Sequence, residues 1–149
     1  MRAPMIARWP GTVAAGSRSE LICAMWDVMP TACELAGAPV PLQTDGISLV
    51  PTLTGVGEQR EHDYLYWEFN ENIYLEKTEY KQAVRMGDWK GIHYVDTGLF
   101  ELYDLKSDPG ERRNVATEHP AVVEELLALM AEAHVPSERF PLLPSERSK

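Results

Sequence analysis

The feature that most constrains the fold is a two-residue turn, Gly87-Asp88, placed between two short apolar runs at residues 83–86 and 89–94. A glycine at the first central position supplies the positive φ that such hairpin turns need. The run at 64–69 alternates with period two, as a half-buried strand does, and residues 99–105 form another strand-like run. Together these runs predict a small antiparallel sheet.

One helix is predicted to cover this sheet. Pro120 suits the first turn of a helix, and apolar residues recur at helical spacing after it: Val122, Val123, Leu126, Leu129, Met130 and Ala133. Each large side chain that this stripe buries contributes about 1.5–3 kcal/mol. Before the helix, Asp108-Pro109-Gly110 predicts a type II turn. Pro136 is expected to end the helix, and the Pro-, Ser- and charge-rich segment 136–149 predicts a draped or disordered tail.

The first 57 residues follow a different pattern. Residues 5–9 are predicted to be a strand that ends at Pro10-Gly11. Asp27 is predicted to be the N-cap of a helix over 28–36, with Gly37 at the left-handed C′ position. A lone strand and helix cannot bury their apolar faces, so they require a parallel α/β layer that lies outside this chain. A chain that begins part-way through a larger fold is therefore expected.

Composition excludes several classes of function. The formal net charge is -9, with 23 acidic residues against 14 basic ones, whereas nucleic-acid binding requires clustered cations. No run of about 18 apolar residues is present, so no membrane span is predicted. Cys23 and Cys33 are predicted to be buried thiols, and the four histidines lack metal-ligand spacing.

Five segments, in order along residues 2–134, resemble the sulfatase family as found among bacterial arylsulfatases and glycosaminoglycan-type sulfatases. They are R-A-P-M-I-A-R-W-P-G at 2–11, D-V-M-P-T with L-A-G at 27–37, D-G-I-S-L at 45–49, A-V-R-M-G-D-W-K at 83–90, and E-L-Y-D-L with D-P-G-E and Asn114 at 101–114. The resemblance implies an α/β, alkaline-phosphatase-like fold. It divides the chain into the end of the catalytic domain (1–57), a C-terminal α+β subdomain (58–135) and a tail (136–149).

The resemblance also implies a sulfuric ester hydrolase that uses a formylglycine nucleophile and calcium. The family's C/S-x-P-x-R motif is absent, since Cys23 is followed by Ala-Met-Trp and Cys33 by Glu-Leu-Ala. The metal-binding aspartates and sulfate-binding lysines of the family also lie upstream. The chain is therefore predicted to complete the scaffold and wall the substrate cleft, without activity alone. Gly91-Ile92 replaces the family's usual bulky pair, which is expected to loosen that strand.

Four residues are candidates for substrate contact in such a cleft. Glu68 is either a rim carboxylate that binds sugar hydroxyls or a solvent-facing strand residue. Arg2 either shapes the pocket or makes a structural ion pair. Tyr74 and Tyr80 lie in the long connection 70–80, and aromatic loops of this kind suit carbohydrate.

Two alternative functions remain open. One is a related phosphoester or phosphonate hydrolase with the same scaffold, and the other is a stand-alone carbohydrate-binding or interaction module. The implied partners of the parent protein are a sulfated small molecule or carbohydrate and the missing N-terminal catalytic part. The resemblance also implies a periplasmic or extracellular parent.

Overall fold

The computed structural model describes residues 4–70 and 79–147. The chain divides into two compact units, Met1–His62 (unit 1) and Asp63–Lys149 (unit 2). In unit 1 a 3-10 turn, Met25–Asp27, leads into helix α1, and helix α2 follows: α1 Val28–Ala36 and α2 Val50–Thr54. The described residues of unit 2 form four strands and two helices: β1 Leu65–Asn70, β2 Tyr80–Met86, β3 Trp89–Tyr94, β4 Leu99–Asp104, α3 Pro120–Ala133 and α4 Pro144–Arg147.

The four strands of unit 2 form an antiparallel sheet in the order β1-β2-β3-β4. Met86 pairs with Trp89, so Gly87 and Asp88 are the two residues of the β2–β3 turn, and Gly87 has a φ of 55°. The predicted sheet and its hairpin are therefore confirmed.

Helix α3 packs against β2 and β3, as its apolar stripe predicts. Val84 and Leu102 from the sheet meet Leu126 and Met130 from the helix, and all four side chains are almost completely buried. This cluster is the core of unit 2, and it confirms a small sheet covered by one helix.

Gly91 does not loosen strand β3, contrary to the expectation drawn from its departure from the family pattern. It is buried at the centre of the sheet, between Val84 and Leu102 in the register. A Cβ at this position would lie 2.6 Å from Cζ of Phe100 and 2.9 Å from Cδ1 of Leu126. The missing side chain therefore lets α3 and Phe100 approach the backbone closely.

Unit 1 confirms the predicted helix and contradicts the predicted strand. Helix α1 covers Val28–Ala36 and ends at Gly37, which has a φ of 64°. Residues 5–9 form no strand among the residues that the structure describes, although the turn at Pro10-Gly11 is present through a Thr12 N–H bond to the Trp9 carbonyl. A strand needs a neighbouring backbone to bond, and the described part of unit 1 contributes no other strand.

The predicted type II turn at Asp108-Pro109-Gly110 is also wrong in detail. The N–H of Glu111 donates to the carbonyl of Asp108 at 3.1 Å, so a turn is closed there. Positive φ occurs at Glu111, at 54°, and not at Gly110. The Asp108 carboxylate accepts the N–H groups of Arg112 and Arg113 at 2.7 and 2.9 Å, and these bonds stabilise the left-handed residue before them.

The tail after α3 contacts unit 2 through Leu142 and α4, whereas most of residues 135–140 are exposed. Leu142 is completely buried, and α4 carries hydrogen bonds to other elements of the unit. The sequence left two alternatives for this segment, a tail that lies on the domain or a disordered one. The described residues 136–147 lie on unit 2. None of the helices in the described ranges is long and apolar enough to cross a membrane.

Candidate functional site

Unit 1 contains a buried carboxylate, that of Asp27, which forms hydrogen bonds to other segments of the unit. Asp27 is completely buried. Its Oδ2 accepts the N–H of Ala24 at 2.7 Å, and its Oδ1 accepts the N–H of Ile47 at 2.9 Å and lies 2.9 Å from Nε2 of His62. Three donors offset the cost of removing a carboxylate from water.

The predicted role of Asp27 as the side-chain cap of α1 is wrong. The residue stands at the N-cap position, but its side chain makes no bond to the first turn of the helix. The 3-10 turn before α1 supplies acceptors, since the N–H of Val28 donates to the carbonyl of Met25. The carboxylate is therefore available to hold other segments.

Thr31 and Gly46 complete this arrangement. The Thr31 hydroxyl donates to the carbonyl of Asp27 at 2.6 Å and accepts the N–H of Leu49 at 2.9 Å. A Cβ on Gly46 would lie 2.3 Å from the carbonyl oxygen of Trp26, so only glycine fits. The D-x-x-P-T and D-G-x-S-L segments are thus bound to each other through backbone groups.

Gly46→Ala is expected to destabilise unit 1 by about 2 kcal/mol, because the new methyl group overlaps backbone rather than a flexible side chain. The measurement is urea unfolding followed by NMR signals of residues in each unit. Gly110→Ala is the matched control, because its Cβ would meet only the side chain of Arg112, at 3.1 Å. Equal losses in the two variants would contradict the close approach at Gly46.

In unit 2, motif residues also form hydrogen bonds and ion pairs within the fold. The Asn114 side chain accepts the N–H groups of Leu102 and Ala116 at 3.0 and 2.9 Å and donates to the carbonyl of Phe100 at 3.2 Å. Lys90, from the A-V-R-x-G-D-W-K segment, is largely buried and pairs with Glu111, from the D-P-G-E segment. Motif residues therefore stabilise each other in this unit as well.

A second polar cluster lies on the α3 side of the sheet, where β1 and β2 meet the tail. The Gln82 amide donates to the Tyr66 hydroxyl at 2.8 Å, and that hydroxyl donates to Oε1 of Glu68 at 2.7 Å. The same Glu68 oxygen lies 2.6 Å from Nδ1 of His134, whose Nε2 lies 2.7 Å from Oε1 of Glu146. At the other end, Nδ1 of His93 lies 3.1 Å from Oε1 of Gln82. We call these six residues the Glu68 network.

The two histidines of this network have opposite pKa shifts. Burial lowers the pKa of His93, since it disfavours the charged ring. Burial also opposes charge on His134, but the bonds to Glu146 and Glu68 outweigh it and raise the pKa of this imidazole. The Tyr66 pKa is raised by burial and by the adjacent Glu68 carboxylate. The network therefore favours a positive charge at His134 alone.

Two of the four predicted contact residues, Glu68 and Tyr80, lie in the described residues, and each contacts other side chains of unit 2. Glu68 is 19% exposed at its side chain and is bonded to Tyr66 and His134, so it lies neither at an open rim nor in free solvent. Tyr80 begins β2, and the Arg147 guanidinium lies 3.7 Å from its ring centroid. Arg2 and Tyr74 fall outside the described residues. Substrate contact by these four side chains stays a prediction.

Of the Glu68 network, sequence reasoning identified only Glu68. It missed Tyr66, Gln82, His93, His134 and Glu146, and also the neighbouring Arg147. Arg147 also donates from Nη2 to Oδ1 of Asp96 at 2.6 Å. His134 is 66 positions from Glu68, and no local spacing links the two. The only sequence signal was the position of His134 at the end of a strongly amphipathic helix.

The residues present do not fit the nucleophile or the metal that the resemblance implies. Among residues 4–70 and 79–147 no group of three His, Cys, Asp or Glu side chains is arranged to hold a metal ion. Cys23 and Cys33 are free thiols without the family's nucleophile motif around them. No chemical step is therefore assigned to this chain through either group.

Comparison with known proteins identifies the family. The family model described as "N-sulphoglucosamine sulphohydrolase, C-terminal" matches residues 1–135. The chain therefore belongs to this family of sulfatase C-terminal regions, and the tail residues 136–149 lie beyond the match.

Individual relatives agree with this assignment. A Delta 4,5-hexuronate-2-O-sulfatase of Bacteroides thetaiotaomicron is 38% identical over 110 residues, covering 68% of this chain and 23% of the relative. An N-acetylglucosamine-6-O-sulfatase of the same organism is 34% identical over 139 residues, covering 88% and 24%. The chain thus spans about a quarter of the length of these relatives.

Solved structures give the same result for the fold. A protein solved in complex with its substrate D-glucosamine-2-N,6-O-disulfate matches with a TM-score of 0.71 and 32% identity, over 84% of this chain and 26% of that one. The phosphonate monoester hydrolase of Agrobacterium radiobacter matches with a TM-score of 0.52 and 30% identity, over 71% and 24%. By TM-score and coverage of this chain, the likeness to the structure with bound D-glucosamine-2-N,6-O-disulfate is the stronger of the two.

Proposed function

We propose that this chain serves a sulfuric ester hydrolase as its C-terminal scaffold, completing the catalytic layer and walling one side of the substrate cleft. One observation carries the proposal: the motif residues of unit 1, Asp27, Thr31 and Gly46, bind or crowd the backbone of neighbouring segments. Family motifs used in this way support a framework, and the chemistry belongs to the catalytic region that the relatives also contain.

Calcium and the formylglycine nucleophile belong, on this proposal, to that catalytic region. The substrate is a sulfated carbohydrate or small molecule, by analogy with the relative solved with D-glucosamine-2-N,6-O-disulfate. Glu68 and Tyr80, with Arg2 and Tyr74, are the proposed contacts in the cleft wall. Export to the periplasm or the extracellular space is proposed for the parent protein.

The chain alone is expected to give no saturable hydrolysis of an aryl sulfate, with or without added calcium. A chimera tests whether the chain can complete an active enzyme. In it, residues 1–135 replace the matching C-terminal region of the Bacteroides N-acetylglucosamine-6-O-sulfatase. That chimera is expected to retain measurable sulfatase turnover, and the same chimera carrying Asp27→Ala is expected to lose it with its fold. Saturable turnover by the isolated chain would contradict the proposal.

The likeness to the phosphonate monoester hydrolase supports a second candidate, in which the chain completes a phosphonate or phosphoester hydrolase. A second chimera, built on the Agrobacterium radiobacter enzyme, separates the two. The sulfatase chimera is expected to be the more stable and the more active relative to its own parent. The reverse order would favour the phosphonate hydrolase.

The remaining alternative, a stand-alone carbohydrate-binding module, is tested by measuring sugar binding to the isolated chain. Calorimetric titration with D-glucosamine-2-N,6-O-disulfate and with unsulfated glucosamine is expected to give no saturable heat. Tight binding of either sugar by the isolated chain would favour the module over the scaffold.

A further inference from the structure

The feature that the proposed function leaves unused is His134, which is held between two carboxylates from different elements. It follows the last residue of α3, and its N–H donates to the carbonyl of Met130, so the helix fixes its backbone. Nδ1 faces Glu68 of β1 and Nε2 faces Glu146 of α4, at 2.6 and 2.7 Å. The side chain is only 6% exposed.

The hydrogen-bond geometry requires a charged ring. A neutral imidazole donates from one nitrogen only, whereas ionised carboxylates accept and cannot donate. Both ring nitrogens here face carboxylate oxygens, so both must carry a proton for both bonds to form. Loss of one proton leaves a ring lone pair directed at a carboxylate, which is repulsive.

Glu146 extends this contact into the tail. Its second oxygen, Oε2, accepts the N–H groups of Leu142 and Leu143 at 2.9 and 3.1 Å. Leu142 is completely buried, and the neighbouring Arg147 lies over Tyr80 and bonds Asp96. A single carboxylate therefore joins the ring of His134 to the fold of the tail.

We propose that His134 is a proton-dependent latch that fastens residues 136–147 to the sheet, and that release of the latch uncovers Tyr80. The latch is closed while the ring is an imidazolium between Glu68 and Glu146. It opens when the ring loses a proton, because one of the two carboxylate contacts then fails. The latched segment lies beyond residues 1–135, which the family model matches.

The pH window follows from the direction of each shift. The pKa of His134 is raised above 6.5, so its contribution is complete below 6.5 and is lost as pH rises through the raised value. The bond to His134 lowers the pKa of Glu146 below 4.5, so its contribution is present above 4.5 and is lost as pH falls through the lowered value. Glu68 and, through it, Tyr66 are the other titratable groups at this contact. The latch is therefore closed between the lowered pKa of Glu146 and the raised pKa of His134, and it opens as the pH rises through the pKa of His134.

The first test observes the protons of the unaltered chain. Long-range ¹H–¹⁵N NMR at pH 6.5 is expected to show the His134 ring mainly protonated at both nitrogens, because its pKa is raised above 6.5, with the half-buried His93, whose pKa is lowered, as the mainly neutral reference in the same spectrum. A His134 ring that carries mainly one proton at pH 6.5 would overturn the proposal without any substitution.

The second test measures amide exchange of Leu142 and Leu143 against pH, corrected for intrinsic rates. Loss of a charge-assisted bond is expected to speed their exchange about tenfold as the ring deprotonates. Glu146→Gln is expected to give the same increase at pH 6.5, and His134→Gln should make the rate independent of ring titration. Glu138→Gln, an exposed change in the same segment, is the matched control.

The amides of Val84 and Leu102 report on the core of unit 2 in every variant, so general unfolding is distinguished from release of the tail. Protection at these two positions with fast exchange at 142 and 143 supports the latch. Equal effects of Glu138→Gln and Glu146→Gln, or an unchanged pH profile in His134→Gln, would overturn it.

Discussion

Asp27→Ala is expected to destabilise unit 1 by about 2–5 kcal/mol, because each buried donor that loses its acceptor costs about 1–3 kcal/mol. The substitution leaves the N–H groups of Ala24 and Ile47 without their acceptor, and it leaves His62 without its carboxylate. Each unsatisfied buried donor adds its own desolvation cost. The expected readout is early loss of the unit 1 signals in a urea titration followed by NMR.

Asp45→Ala is the matched control for this prediction, since Asp45 is an exposed carboxylate in the segment that Asp27 holds. It is expected to change the stability by less than about 0.5 kcal/mol, as exposed substitutions usually do. Fast amide exchange confined to Ala24 and Ile47 would identify the lost bonds directly. A small effect of Asp27→Ala, equal to that of Asp45→Ala, would show that the buried carboxylate is not the anchor of unit 1.

Elements with strong local signals were predictable from the sequence. The β2–β3 hairpin depends on Gly87 and on the apolar runs beside it, and α3 depends on Pro120 and its apolar stripe. Helix α1 was found at its observed bounds, because Gly37 permits the left-handed φ that ends it. In each case the determining residues lie within a few positions of one another.

Contacts between distant segments were not predictable in the same way. Asp27 has the side chain of a helix cap, and only the fold shows that Ile47 and His62 are its partners, 20 and 35 positions away. Residues 5–9 have the composition of a strand, but strand formation depends on a neighbouring backbone. The Glu68 network likewise combines residues of β1, β2, β3 and α4 with His134 after α3, and no single spacing joins them.

The motif residues that identify the family are therefore not the residues that would perform the chemistry. Gly46 is required because a carbonyl lies where its side chain would be, and Asn114 is required because it bonds three backbone groups of unit 2. Both requirements come from the backbone of the framework and not from a ligand. This separation explains how a chain can carry clear family motifs without the nucleophile motif.

Leu126→Ala is expected to destabilise unit 2 by about 3 kcal/mol, because Leu126 is completely buried in the core and its loss leaves a cavity against the sheet. Gly91→Ala alone is expected to cost about 1–3 kcal/mol, since its methyl group would overlap Leu126 and Phe100. The double variant is expected to cost less than the sum, because the alanine methyl at 91 occupies space that Leu126 vacates.

The coupling is expected to be about 1 kcal/mol in a double-mutant cycle measured by urea unfolding of unit 2, and the remaining overlap with Phe100 makes the compensation partial. Met130→Ala supplies the matched second cycle. Met130 is equally buried in the same core, but it is not among the nearest neighbours of a Cβ at position 91. Gly91→Ala with Met130→Ala should therefore be close to additive. Equal coupling in both cycles would show that the core relaxes as a whole, and that the close approach of α3 at Gly91 is not what makes glycine necessary there.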